Sequence, residues 1–116
     1  MDYLIILNDP PYGAERSYNG LRLANSLAKD EETTVSVFLM GDAALCAVAG
    51  QTTPNGYYNI ERMLKILSSK GGKIGVCGSC MDARGLKPEA LAQGAHRSSL
   101  EELDCWTREA DKVIVF

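Results

Sequence analysis

The sequence has little of what marks several large classes of protein. Its 116 residues contain no apolar stretch near the roughly 18 that a membrane span requires. Its start, Met1-Asp2-Tyr3-Leu4-Ile5-Ile6-Leu7, is acidic where a secretory leader is basic. A cytoplasmic protein with no membrane partner is expected. Excess positive charge is also missing: 12 lysines and arginines stand against 15 aspartates and glutamates, for a net charge of -3. Without a basic field or a Lys/Arg cluster, direct nucleic-acid binding is not expected.

Histidine occurs once, as His96, and cysteine four times, at 46, 77, 80 and 105. A single C-x-x-C and one histidine do not make the four-ligand set of a structural zinc, so no metal is expected. The cysteines are too few and too irregularly spaced for a disulfide scaffold, and in a reducing compartment they stay thiols. A glycine-rich phosphate loop is absent as well. The segment Asp9-Pro10-Pro11-Tyr12-Gly13 has prolines where amide donors are needed, which argues against a mononucleotide, and no organic cofactor is expected.

What is present describes an ordinary globular chain: 46% of residues are apolar and 23% charged, enough for one domain over residues 1–116. Apolar, β-branched runs at 3–7, 35–39, 74–77 and 113–116 have the two-sided apolar character of buried parallel strands. A short extra strand is predicted at 95–97. Between the runs lie helical patterns. Leu21, Ala24, Leu27 and Ala28 share one face, and Ile60, Met63, Leu64 and Leu67 follow i, i+3, i+4, i+7. Ser98 with Glu101 reads as a capping box opening a helix with Leu100, Leu103, Trp106, Thr107 and Ala110 on one stripe, and Cys105 nearly opposite it. Gly71-Gly72 stops the second helix, and Thr53-Pro54-Asn55-Gly56 marks a turn in the long loop 50–57. Alternation of strands and helices predicts a three-layer α/β domain with a parallel sheet of about five strands.

In such sheets ligands collect beyond the carboxyl ends of the strands. The paired thiols Cys77 and Cys80 fall there, in Cys77-Gly78-Ser79-Cys80, with Arg84 close behind. A thiol of ordinary pKa, about 8.5, is only a few per cent ionised near neutrality, and a nearby cation raises that fraction. Arg84, or Arg16 from the first loop, is the candidate cation. Tyr12, Gly13 and Asp42, beyond the first and second strands, are the candidates for substrate contact, although Asp42 is most simply the N-cap of the next helix. The C-x-x-C spacing also lets Cys80 resolve a disulfide or persulfide on Cys77. Pro88 and two glycines leave too little helix after it for a thioredoxin-type motif. Residues 43–49, apolar all round, are expected to need covering by another subunit.

In order along the chain, Pro11-Tyr12-Gly13 with Glu15, Leu21-Arg22-Leu23-Ala24, Phe38-Leu39-Met40 with Asp42-Ala43, Gly56, Tyr58-Asn59-Ile60, Met63-Leu64 with Ile66-Leu67, Cys77 and Cys80 with Asp82 and Arg84-Gly85, and Trp106-Thr107 with Ala110-Asp111-Lys112-Val113 resemble the DsrE/DsrF-like family of small sulfur-relay proteins, and its YchN-type branch in particular. The resemblance implies a flavodoxin-like fold, a homo-oligomer (trimer or hexamer) with sulfur donor and acceptor proteins as partners, and a cysteine after the third strand that carries sulfane sulfur as a persulfide. Cys77 holds that position. The alternatives are a dithiol redox protein using Cys77 and Cys80, and a non-catalytic oligomeric interaction protein.

Overall fold

Runs that are apolar on both faces suit strands with helices above and below, and the four such runs form one sheet together with the short polar strand near 95–98. A computed structural model describes residues 1–116. The chain runs β1 (Asp2–Leu7), α1 (Arg16–Leu27), β2 (Thr34–Leu39), a 3-10 segment (Gly41–Ala47), α2 (Ile60–Ser69), β3 (Lys73–Cys77), α3 (Gly78–Ala83), a 3-10 turn (Pro88–Ala90), β4 (Ala95–Ser98), α4 (Leu100–Glu109) and β5 (Lys112–Val115). The strands pair in parallel throughout, in the order β4-β3-β2-β1-β5. This is the α/β, flavodoxin-like architecture expected. No helix is long and apolar enough to cross a membrane.

Strand order dictates the layers. From β1 to β4 the chain steps in one direction, so right-handed crossovers leave α1 and α2 on one face of the sheet; it then doubles back to β5, which sends α4 to the other. The packing follows. Ile5, Leu7, Val35, Val37, Leu39, Ile74 and Val76 join Leu21, Ala24, Leu64 and Leu67 in the main core, while Leu4 and Phe38 meet Leu103 and Trp106 beneath α4. Phe38 and Trp106 pack edge to face with ring centroids 6.2 Å apart. Gly71 and Gly72 end α2 as predicted, their amides closing on the carbonyls of Ser68 and Leu67.

Three local expectations are corrected. Of residues 43–49, positions 43–47 belong to the 3-10 segment, in which Ala43, Ala44, Cys46 and Ala47 are fully buried within one chain, against β2, α2, β3 and α3. The chain covers most of this apolar stretch itself, leaving Leu45 and Ala49 exposed and Val48 half-buried. The cap of α4 is Ser99, accepting from the amide of Glu102, one residue later than the Ser98 and Glu101 predicted. Ser98 is still in β4, paired with Cys77. Leu100, expected on the buried stripe, is 73% exposed.

Candidate functional site

Cys77 ends β3 and is the N-cap of α3. A strand that stops where a helix starts brings the unpaired amides of the first helical turn to its last side chain. Cys77 Sγ lies 3.3 Å from Ser79 Oγ. Partial burial pushes the Cys77 thiol up. Hydrogen bonds from the Ser79 hydroxyl, the Cys80 thiol and the amides of Cys80 and Ser79 outweigh burial and hold it below the ordinary value. The residue between strand and thiol turn has to be small. A Cβ on Gly78 would sit 2.8 Å from the Ser98 carbonyl oxygen and 3.0 Å from the Arg97 guanidinium carbon.

Cys80 has the opposite disposition. Burial pushes its thiol up, and the neighbouring Cys77 pushes it further; the Gly41 amide, donating to Cys80 Sγ at 3.1 Å, and the charge of Arg84 only partly offset this. Thiolate on Cys77 and thiol on Cys80 is the arrangement the pair favours. The other two cysteines are inert by comparison. Cys46, buried with its Sγ 3.7 Å from the Asp9 carbonyl oxygen, is raised to about 12 chiefly by burial. Cys105 is exposed and is raised by the Glu109 carboxylate that its thiol contacts. Among the four, Cys77 alone is held down.

The cation expected beside Cys77 serves the other thiol. Arg84 places Nη2 and Nε 2.8 and 3.2 Å from Asp42 Oδ1, and its Nη1 donates to the Cys80 carbonyl at 3.0 Å. Asp42 is therefore an ion-pair partner, and the N-cap of its 3-10 segment is Met40, with no side-chain cap. Arg16 faces Asp9 at 3.9 Å with most of its side chain in solvent. Tyr12 donates to Gln51 Oε1 at 2.6 Å, accepts from the Ile60 amide at 3.1 Å and stacks on Tyr58. It ties the loop after β1 to the start of α2. Gly13 beside it, at φ +97, has open space around it.

A groove of about 400 Å³ opens at Cys77. Phe38, Met40, Leu100 and Leu103 make its apolar lining, and Ser79, Arg97, Ser98 and Ser99 its polar rim. Tyr12, Gly13, Asp42, Cys80 and Arg84 do not line it. Arg97 is pinned by a bidentate pair with Asp82 at 2.8 and 3.0 Å and by a bond to the Gly78 carbonyl at 3.1 Å. Of these residues Ser79 was visible inside the C-x-x-C. Arg97, Ser98 and Ser99 come to Cys77 only through the β3–β4 register.

A family model described as the DsrE/DsrF-like family matches residues 1–116. The chain is 40% identical over 114 residues to Protein YchN of Escherichia coli, covering 97% of each chain. It is 35% identical over 116 residues to an uncharacterized protein of Methanocaldococcus jannaschii, covering all of both. Among solved structures, the crystal structure of the ychN protein from E. coli superposes with a TM-score of 0.90 at 37% identity, again over the full length of both chains.

Proposed function

The chain belongs to the DsrE/DsrF-like family, and from that premise we propose that it is a cytoplasmic sulfur carrier, holding sulfane sulfur as a persulfide on Cys77. The observation that carries this reading is the single thiol of four held below its ordinary pKa, opening into a groove at the carboxyl end of a central strand. The Cys77 thiolate attacks the outer sulfur of a donor persulfide. The donor's S–S bond breaks, the donor leaves as its thiolate, and Cys77-S-SH forms. An acceptor thiolate entering the groove then attacks the outer sulfur, breaking its bond to Cys77 Sγ and restoring the Cys77 thiolate. Oxidation states balance across the two transfers, so thiolates suffice. Donor and acceptor are proteins that present a cysteine to the groove.

The test is intact-mass spectrometry after incubation with inorganic polysulfide in a Cys80→Ser background, which leaves one thiol at the site. The expected result is a gain of about 32 Da, one sulfur atom, on Cys80→Ser and none on the Cys77→Ser/Cys80→Ser double variant. Equal gains on both would overturn the reading.

A further inference from the structure

Cys77 and Cys80 stand on opposite sides of the sheet's end. Cys77 packs with the cluster beneath α4 and lines the groove, whereas Cys80 packs against the main core on the α1/α2 side and is absent from the groove. A sulfur carried on Cys77 in the groove therefore has Cys80 behind it. Cys77 caps α3 and Cys80 is the third residue of its first turn; the Cys80 thiol hydrogen-bonds Cys77, so the two sulfurs are already neighbours and a bond between them asks only for a short further approach. Cys80 is also equipped to bear negative charge for a moment. The Gly41 amide points at its Sγ from 3.1 Å, and Arg84 is fixed against its carbonyl by the Asp42 ion pair. This ion pair joins the 3-10 segment to α3, so the donor on Cys80 comes from an element the groove does not touch.

From this geometry, and resting on the persulfide reading above, we propose that the site has a second outlet, in which Cys80 discharges the Cys77 persulfide as sulfide. The Cys80 thiolate attacks Cys77 Sγ, the inner sulfur, from the side away from the groove. The bond between Sγ and the outer sulfur breaks, the outer sulfur leaves as hydrosulfide and takes up the proton that Cys80 gave up, and a Cys77–Cys80 disulfide forms. The sulfane sulfur gains two electrons and the two cysteines together lose two. An external dithiol reductant reopens the pair and completes the cycle. The two outlets differ in which sulfur is attacked: an acceptor entering through the groove reaches the outer sulfur and carries it off, whereas Cys80 reaches only the inner one. A carrier that meets no acceptor thus releases its cargo as sulfide.

The experiment follows the unmodified protein and Cys80→Ser after a pulse of inorganic polysulfide and removal of the excess, recording intact mass and released sulfide together. The unmodified protein should lose its added sulfur, end about 2 Da lighter than at the start and release one sulfide per chain, with dithiothreitol restoring the original mass. Cys80→Ser, whose hydroxyl keeps a donor toward Cys77, should hold the added mass and release sulfide at least about tenfold more slowly. Equal decay of the two proteins, with no species lighter by two hydrogens, would overturn the second outlet and leave sulfur carriage standing. No added mass on Cys80→Ser would instead bring down the carriage reading and the outlet with it. A separate check needs no sulfur: if diamide does not close the Cys77–Cys80 pair in the unmodified protein, the outlet is overturned whatever the loading shows.

Discussion

Two thiols three residues apart titrate in opposite directions because their donors differ: Cys77 collects the Ser79 hydroxyl, the Cys80 thiol and two amides, while Cys80 keeps its proton under burial and its neighbour's charge. The consequence is readable as a pH profile. Iodoacetamide should label Cys77 first, with a midpoint below the roughly 8.5 of an ordinary thiol. Ser79→Ala removes one donor of about 1 kcal/mol and should slow labelling near pH 7 by about fivefold. Arg84→Ala should move it by less, since that guanidinium sits on Asp42 and the Cys80 carbonyl; a larger effect from Arg84 than from Ser79 would contradict this arrangement. The thiol itself was legible, because strand-end position and C-x-x-C spacing are local facts. The reach of Arg84 was not. It is decided by where the 3-10 segment carrying Asp42 comes to rest, and that segment is 42 residues away along the chain. Arg97 was hidden for a similar reason: a four-residue strand carries almost no periodic signal, and only pairing with β3 brings it beside Cys77.

Among the elements, α4 shows how a boundary slips by one residue. Ser98 and Ser99 are each followed three positions later by a glutamate, so the local pattern fits either; the register that pairs Ser98 with Cys77 leaves Ser99 to cap the helix. Ser99→Ala should therefore cost about 1 kcal/mol in urea unfolding, and a neutral result would contradict the cap. The same turn is pH-sensitive. Burial alone would raise Glu102, but hydrogen bonds with Ser98 and His96 outweigh it and hold the carboxyl below its usual range. A lowered folded-state pKa contributes stability above the unfolded value, about 4.3, that is lost as pH falls through the folded one. Glu102→Gln should therefore be less stable than the parent at neutral pH, with the gap narrowing below about pH 4. A gap that widens on acidification would contradict the pairing. Helix α1 makes a contact that composition does not disclose. A Cβ at Gly20 would lie 2.4 Å from Leu7 Cδ2 and 3.2 Å from the Phe116 ring, so Gly20→Ala should lower the melting temperature despite alanine's better helix propensity.

At the scale of the molecule the three layers are unequal, since α1 and α2 cover one face of the sheet and α4 alone the other. Val113 pairs with Leu4 and Val115 with Ile6, which places both valines on the α4 side, where they are 41% and 62% exposed. The alternation of elements made the architecture legible, but how completely one chain covers its own apolar surface was not. Residues 43–49 read as a surface in need of a partner, yet Ala43, Ala44, Cys46 and Ala47 are buried, whereas the β5 valines read as core and are exposed. The oligomer expected of this chain should accordingly use the β5 edge. Light scattering should give a multiple of the 12.6 kDa chain, and Val115→Lys should shift it toward the monomer; a monomeric parent would contradict assembly. The central claim, that one thiol of four carries sulfane sulfur, is tested most directly by locating the sulfur. Cys80→Ser protein loaded with polysulfide, trapped by alkylation, digested without reductant and sequenced by fragment mass should carry the added sulfur on Cys77. Finding it on Cys46 or Cys105, or spread evenly over the remaining cysteines, would contradict the account.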